Sequence, residues 1–413
     1  MNILYIAYSC NPFNGSEDKI GWNIPAKSAQ YNNVYVITKE EHRENIEKYL
    51  KENPIKNLSF RYVDISPIYK KAFKGFLYSG RFSVWHKKAF RVAQEICSEH
   101  SIDIIHQITP IEFRSIGKYG KIDGIKFVCG PLGGGEYVPD GLKEYIKGHR
   151  IIESVRTIVN RWYRLKQKVT NTYSQCHYIM FANKETREFL KKAINYRCLY
   201  NENPITEIAV DERDIVERKS RNESEKTVFF SAGRMIYRKG YSFLLDALEQ
   251  LPSELDYELK MAGNGPELEQ LKRRCEMSDK LKTHINFIGK IPFAAMSDEY
   301  AKADAFIMPS IRETTGTVLL EAMSKGLPVI TIKKFGGAEL INEDSGWLYS
   351  GNTKQEYIDG LKSCIIDCIT NPQEAIRKGE NARLQAQKHT WDEKIKHYDE
   401  IYSNLLKNGN IPE

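Results

Sequence analysis

Two glutamates, Glu313 and Glu321, lie eight residues apart in a segment whose pattern predicts a strand, a loop and a helix. The apolar run 305–308 predicts a buried strand, and the pattern over 317–325 predicts a helix that Gly326 ends. The first carboxylate would then lie on the strand-to-helix loop, where open α/β sheets bind ligands. The second would lie about one turn into the helix.

The start of this predicted helix offers a binding position for phosphate. Backbone N–H groups near Gly316 and Thr317 would point out of a helix N-terminus, where the helix dipole favours an anion. One carboxylate could hold sugar hydroxyls, the helix start a diphosphate, and the other carboxylate a ribose. The spacing therefore predicts a nucleotide-sugar site.

Such a site needs parallel strands to position it, and apolar runs alternate with helical patterns along the chain. Strands are predicted at 3–7, 34–37, 58–63, 102–106, 126–129, 178–182, 228–232, 258–262, 285–288, 305–308 and 329–332. A polar, charged stretch at 205–225 marks a domain junction. In a chain of 413 residues, we predict an α/β fold with two doubly wound, Rossmann-like domains, 1–205 and 206–390, that face a central cleft. Residues 391–413 would form a helix that packs across both domains.

Composition argues against a membrane-spanning, a secreted or a zinc-binding protein. No apolar run approaches the roughly 20 residues that a membrane span needs. The first residues predict a strand, not a signal peptide. The eight cysteines are scattered without a C-x-x-C pair, which favours reduced thiols in a cytoplasmic protein and argues against a zinc site.

The net charge of +7 is concentrated in two segments that also carry aromatic residues. Residues 69–91 hold seven Lys and Arg without an acidic residue, and residues 141–168 hold eight against two. Such composition is typical of helices on the anionic, cytoplasmic face of a membrane, and the alternative is two solvated helix faces. Nucleic-acid binding is not expected, because the chain has no helix-turn-helix or RNP motif.

Five motifs follow one another in the second half, between about residues 228 and 348. They are the Gly-Arg and Lys-Gly pairs of 230–240, the Gly-Asn-Gly-Pro turn of 263–266, the approach at 287–310, the two glutamates, and the Gly-Gly segment of 335–341. In this order they resemble the retaining GT-B glycosyltransferases of family four. One departure is Thr315-Gly316, where that family usually has Phe-Gly.

The resemblance implies a nucleotide-diphosphate sugar as substrate and no cofactor. The chain lacks a plausible Asp-x-Asp, whereas Arg234 and Lys239 follow a strand end and suit a diphosphate, so metal-independent catalysis is expected. Arg238 competes with Lys239 for this role, and the alternative is that these cations cap a surface turn. Glu313 would contact the donor sugar and Glu321 the ribose; the alternative is an exposed helix pair.

The first half matches the family less specifically. Gly15 and Ser16 follow the first strand and could let backbone approach the phosphates, or form an ordinary turn. His106 ends a predicted strand and could bind the donor sugar or the acceptor, or be structural. A glycine-rich loop could hold the acceptor through Gly134, Gly135 and Glu136. The candidate catalytic residues are Glu313, His106, Arg234 and Lys239.

These residues predict a glycosyl (hexosyl) transferase that moves a sugar to a hydroxyl with retention of configuration. The resemblance implies that the leaving phosphate oxygen takes the acceptor's proton, so that no enzymic base is required. The expected acceptor is a glycan or a lipid-linked glycan in cell-envelope or exported polysaccharide assembly. Two alternatives stay open: a GT-B nucleotide-sugar epimerase, which would need acid and base carboxylates on both domains, and a non-catalytic protein of this fold.

Overall fold

The computed structural model describes residues 1–15, 17–66, 68–69, 79–194, 199–200, 203–216 and 226–407. The chain divides into two compact units, each built on one parallel sheet. The first unit comprises Met1–Gly135, Ser154–Glu207 and Trp391–Glu413, and the second comprises Glu136–Glu153 and Ile208–Thr390. The polypeptide therefore passes from one unit to the other four times.

The first unit contains a seven-stranded sheet of order β3-β2-β1-β4-β5-β6-β7. Its strands are β1 (Asn2–Ala7), β2 (Asn33–Lys39), β3 (Leu58–Val63), β4 (Ile104–Thr109), β5 (Lys126–Leu132), β6 (Tyr178–Phe181) and β7 (Leu199–Tyr200). In chain order, the helices of this part of the chain include α1 (Glu17–Ser28), α2 (Arg43–Glu52), α3 (Ser79–Glu99), α4 (Arg150–Val169) and α5 (Lys184–Leu190). Helix α4 begins in the second unit, at Arg150–Glu153, and continues in the first.

The second unit contains a six-stranded sheet of order β10-β9-β8-β11-β12-β13. Its strands are β8 (Thr227–Ala232), β9 (Tyr257–Ala262), β10 (Ile285–Gly289), β11 (Ala305–Met308), β12 (Val329–Ile332) and β13 (Gly346–Tyr349). Its helices are α6 (Tyr241–Glu249), α7 (Leu268–Glu276), α8 (Asp279–His284), α9 (Phe293–Lys302), α10 (Thr317–Ser324), α11 (Gly337–Leu340), α12 (Lys354–Thr370) and α13 (Pro372–Gln387). The last helix, α14 (Trp391–Lys407), belongs to the first unit.

Strands β1, β4, β11 and β12 consist almost entirely of buried residues, as expected for parallel strands covered by helices on both faces. This explains why continuous apolar runs predicted them from the sequence. The predicted α/β class and the two doubly wound sheets are confirmed. The short strands β7 and β13 were missed.

The units differ from the predicted domains in two segments. Residues Glu136–Glu153 belong to the second unit because Val138, Leu142 and Ile146 are buried in its hydrophobic core. Helix α14 belongs to the first unit, where Tyr398 and Tyr402 are completely buried.

The basic segment 69–91 does not present all its aromatic residues to solvent. Phe82 and Trp85, on α3, are buried in the core of the first unit. These two side chains are therefore core residues, in contrast to the predicted membrane contact; residues 70–78 lie outside the described part of the chain. No described helix is both long and apolar enough to cross a bilayer.

Both sheets have a switch point, where the strand order reverses and two loops leave the carboxyl edge in opposite directions. In the first sheet these are the loops after β1 and β4, and in the second sheet the loops after β8 and β11. The candidate residues Arg234, Lys239 and Glu313 all lie on the second pair of loops.

Candidate functional site

An ion pair joins the two loops at the switch point of the second sheet. The Lys239 ammonium donates a hydrogen bond to a carboxylate oxygen of Glu313, across 74 residues of sequence. Both side chains are about one-sixth exposed, at 17% each. The ion pair therefore brings together, at one accessible point, the cation and the carboxylate that the sequence proposed for the donor.

The electrostatics of the pair fix the charge of Glu313. Burial alone would raise the pKa of its carboxyl, but the Lys239 ammonium and the nearby Arg238 outweigh burial, and the pKa lies below its usual value. Glu313 is therefore ionised at neutral pH, as a group facing developing positive charge would need to be.

A close backbone approach holds the two loops in register. Gly240 ends the 3₁₀ turn Tyr237–Lys239 at φ 72°, and a Cβ there would lie 2.0 Å from the Pro309 carbonyl oxygen. Only glycine fits this position. The Ile311 N–H also donates to the Arg238 carbonyl at 2.9 Å. Lys239 thus reaches Glu313 because the backbones behind both residues are already joined.

Arg234 and Arg238 are exposed at the same edge of the sheet. The loop that carries Arg234 is held by backbone bonds, since Met235 N–H donates to the Asn264 carbonyl at 2.9 Å and Glu267 N–H to the Met235 carbonyl at 3.1 Å. Two exposed cations on a backbone held in this way could bind a diphosphate without breaking a buried contact.

Helix α10 begins where the sequence predicted, with Gly316 at φ 96° before Thr317. Both residues are partly exposed. Glu321 lies about one turn further on and accepts a hydrogen bond from the Tyr300 hydroxyl at 3.1 Å. Glu321 is partly exposed.

A buried ion pair beneath this loop was not predicted. Arg312 donates to Glu153 at 2.9 Å, and the side chains of both are only 9% exposed. The Tyr237 hydroxyl donates to the same Glu153 oxygen at 2.6 Å. Glu153 thus connects residues next to Glu313 and Lys239, from a segment 159 positions away from Arg312. The adjacency of Arg312 to Glu313 was the only signal that sequence offered.

The switch point of the first sheet is joined by a carboxylate and a backbone amide. The Ile111 N–H, after β4, donates to Glu17 at 2.5 Å, at the start of α1. Burial raises the pKa of Glu17 to about 7, although the hydrogen bond from Ile111 lowers it. Gly15 is exposed, and nothing packs where its Cβ would be, so no close contact in the described structure requires glycine there. Ser16 lies outside the described residues.

His106 has a different environment from a ligand-binding histidine. It is completely buried, and its Nε2 lies 2.8 Å from the Gly130 carbonyl while its Nδ1 lies 2.6 Å from the Tyr402 hydroxyl. A carbonyl only accepts, so Nε2 carries the proton and Tyr402 donates to Nδ1. Burial lowers the pKa of His106 to about 3, which keeps the ring neutral. This geometry favours the structural alternative.

The glycine-rich loop is a packing element. Gly135 N–H donates to the Thr186 hydroxyl at 3.1 Å, and a Cβ on Gly135 would lie 2.7 Å from the Thr186 Cα. The Gly134 carbonyl accepts from Arg156 at 2.9 Å and Asn160 at 3.0 Å. Glu136, the first residue of the second unit, is buried, so it offers no surface to an acceptor in this structure.

Comparison with known proteins agrees with the motifs of the second unit. Residues 212–385 match the family model described as glycosyl transferases group 1. The matched range contains the candidate residues Arg234, Lys239, Glu313 and Glu321.

Two curated relatives support this assignment. The sulfoquinovosyl transferase SQD2 of Arabidopsis thaliana is 32% identical over 180 residues, which cover 42% of this chain and 32% of SQD2. The N-acetyl-alpha-D-glucosaminyl L-malate synthase of Bacillus anthracis is 30% identical over 240 residues, 55% of this chain and 59% of that protein. The chain thus matches about a third to three-fifths of these relatives' lengths.

The fold also matches solved glycosyltransferases. Anabaena Alr3699/HepE, solved in complex with UDP-glucose, superposes with a TM-score of 0.63 at 18% identity and covers 98% of this chain and all of that one. At this identity the similarity establishes the fold alone. The two Rossmann-like units are those of the GT-B fold.

We expect the buried pair beneath the loop to stabilise the second unit. Glu153→Gln keeps the shape of the side chain but leaves the Arg312 charge buried without a counter-ion, which should cost on the order of 3 kcal/mol of unfolding free energy. Urea denaturation measures this value. The control is Arg377→Ala, which breaks a surface pair and should cost much less. Equal losses in both variants would contradict a structural role for Glu153.

We expect the buried His106 to make the first unit sensitive to acid. Its pKa is lowered from 6.5 to about 3, so unfolding takes up a proton between these values and stability falls as the pH falls below about 6.5. His106→Gln should remove this contribution. The difference in unfolding free energy between wild type and variant should therefore shrink with acid, with the exposed His397→Gln as control. A difference that stays constant between about pH 4 and 8 would contradict the buried neutral ring.

Proposed function

We propose that this protein transfers a sugar from a nucleotide-diphosphate sugar to a hydroxyl acceptor, with retention of configuration. One observation carries the proposal. Lys239 and Glu313 form an ion pair at the switch point of the second sheet, whose residues match the group 1 glycosyltransferase family model. Such a pair places a phosphate-binding cation next to a carboxylate that can face a sugar.

In the proposed reaction, the bond between the anomeric carbon and the diphosphate breaks and its electron pair goes to the leaving oxygen. The acceptor oxygen forms the new bond on the same face, and its proton passes to that leaving oxygen. Arg234, Lys239 and the N–H groups near Gly316 and Thr317 stabilise the charge on the diphosphate. Ionised Glu313 faces the positive charge that develops on the sugar.

These groups support a reaction that uses no metal and no cofactor. Fixed cations supply the charge stabilisation that a divalent ion would otherwise give. When donor enters, its diphosphate competes with Glu313 for the Lys239 ammonium. The ion pair therefore holds Lys239 in place before the donor binds.

The relatives indicate the class of substrates. HepE was solved with UDP-glucose, which favours a UDP-hexose as the donor to test first. For the acceptor we propose a glycan or lipid-linked glycan in cell-envelope or exported polysaccharide assembly. We propose that the reaction takes place in the cytoplasm at the membrane surface, which the basic, aromatic composition of residues 141–168 supports.

The direct test is product analysis with a panel of nucleotide sugars, with and without glycan acceptors. Transfer with retained anomeric configuration supports the proposal, and inversion contradicts it. A changed sugar formed without acceptor would instead indicate an epimerase. If no nucleotide sugar raises the melting temperature and no product forms, the non-catalytic alternative holds, since a bound donor stabilises the folded state by mass action.

We expect the two cations to act on the transition state. Arg234→Ala and Lys239→Ala should each cost about 2–4 kcal/mol of transition-state stabilisation, calculated from kcat/KM. Arg238→Ala tests whether Arg238 has the role proposed for Lys239. Lys272→Ala, at an exposed position, is the control. A chelator should leave wild-type turnover unchanged. Activity that is lost in chelator and restored by Mg²⁺ or Mn²⁺ would contradict metal independence.

Substitutions of the two glutamates should have different effects on the kinetics. Glu321→Ala should mainly raise the donor KM, because a ribose contact exists equally in the ground and transition states. Glu313→Ala should mainly lower kcat while the nucleotide diphosphate still binds. Glu313→Gln should rescue little, because it restores hydrogen bonding to Lys239 but no negative charge. Steady-state kinetics and calorimetry decide this; lost nucleotide binding in Glu313→Ala with normal turnover in Glu321→Ala would reverse the assignment.

A further inference from the structure

Three polar side chains line the buried face of helix α4, and a row of apolar side chains lines its exposed face. Glu153, Asn160 and Gln167 are spaced by seven residues and are all buried. Asn160 donates to the Gly134 carbonyl at 3.0 Å and Gln167 to the Phe113 carbonyl at 2.6 Å. These polar anchors fix the helix to the protein, and several of its apolar side chains remain exposed.

The opposite face is a continuous apolar stripe. Ile158, Trp162, Leu165 and Val169 are 65%, 53%, 60% and 76% exposed. At 100° per residue these four side chains fall within an arc of about 60°, roughly opposite the buried polar face. Ile151 extends the same stripe toward the start of the helix and is 80% exposed. Scattered apolar surface residues need no explanation, but an aligned stripe on a 20-residue helix marks a contact surface.

Charge determines what can cover the stripe. The helix has six Lys and Arg residues, and its only acidic residue, Glu153, is buried. Arg161 and Lys168 lie along one border of the stripe and Lys166 along the other. If two copies packed stripe against stripe, these like charges would face each other, which opposes self-association. A surface that is apolar inside and anionic outside matches both features.

We propose that the exposed face of α4 docks on an anionic lipid bilayer, with the helix parallel to the surface. The apolar stripe enters the acyl boundary, Trp162 lies at the headgroup level, and the flanking cations meet lipid phosphates. This inference rests on the proposed membrane-surface location of the reaction, and it does not depend on the transfer chemistry. It assigns the contact to one helix, whereas Phe82 and Trp85 of the other basic segment are core residues.

The chain contains its own reporter for this contact. It has five tryptophans, and Trp22, Trp85, Trp347 and Trp391 are buried, so Trp162 is the exposed one. We expect full-length protein to sediment with vesicles of phosphatidylcholine and about 30% phosphatidylglycerol, with a blue shift of tryptophan emission. Vesicles of phosphatidylcholine alone should bind at least about ten times less, and salt should weaken binding to the anionic vesicles.

A double variant and a matched control test the surface. Ile158→Ser with Leu165→Ser should lower binding to anionic vesicles about tenfold or more and abolish the blue shift. The control, Met277→Ser with Ile376→Ser, also removes two exposed apolar side chains, from the second unit, and should bind like the wild type. Charge reversal by Arg161→Glu with Lys168→Glu should remove the preference for anionic vesicles.

Three outcomes would overturn the proposal: no vesicle binding, equal binding to both vesicle types, or equal loss in the control variant. A dimer that Ile158→Ser with Leu165→Ser dissociates would show that a second copy covers the stripe. The melting-temperature shift with nucleotide sugar provides the separate readout. If vesicle binding fails while that shift persists, only the docking surface is wrong; if the shift fails while vesicles bind, only the proposed transfer is wrong.

Discussion

The ion pair between Lys239 and Glu313 joins the two loops that leave the second sheet at its switch point, and the neighbouring contacts hold those loops in position. Strands β8 and β11 are neighbours in the sheet, and the chain continues from β8 to β9 on one side and from β11 to β12 on the other, so their loops leave the sheet at one point. Gly240 brings the two backbones together, and Glu153 neutralises Arg312 beside them. The pair between Lys239 and Glu313 thus forms between two loops that backbone contacts and a buried ion pair already hold together.

At the switch point of the first sheet, a different bond joins the two loops. Glu17 accepts from the Ile111 amide, where the second sheet uses an ammonium. The cation in one site lowers the pKa of Glu313, and burial in the other raises the pKa of Glu17. The two switch points therefore hold one carboxylate that stays ionised, on the loop after β11, and one whose pKa is about 7, at the start of α1 after β1.

The sequence predicted what local pattern encodes. Continuous apolar runs identified the central strands, and the glycine, cation and glutamate spacing identified the loops that meet at the second switch point. It could not identify the Glu153–Arg312 pair, because partners 159 residues apart leave no periodic signal. Composition also could not show which face of α4 is buried. Apolar side chains are usually the buried ones, but three polar side chains line the buried face of this helix. The sequence predicted that His106 ends its strand, but His106 lies inside β4, and its contact with Tyr402 of α14 comes from the other end of the chain.

The route of the polypeptide limits how this protein can be divided. The second unit takes Leu142 and Ile146 of its core from a segment that lies inside the first unit's sequence. The first unit, in turn, takes α14 from the far C-terminus. A fragment cut at Glu207 would thus lack a helix of its own unit, and the complementary fragment would lack core side chains. Neither half is an exchangeable module, so recombination between such chains preserves both units only when it exchanges all these segments together.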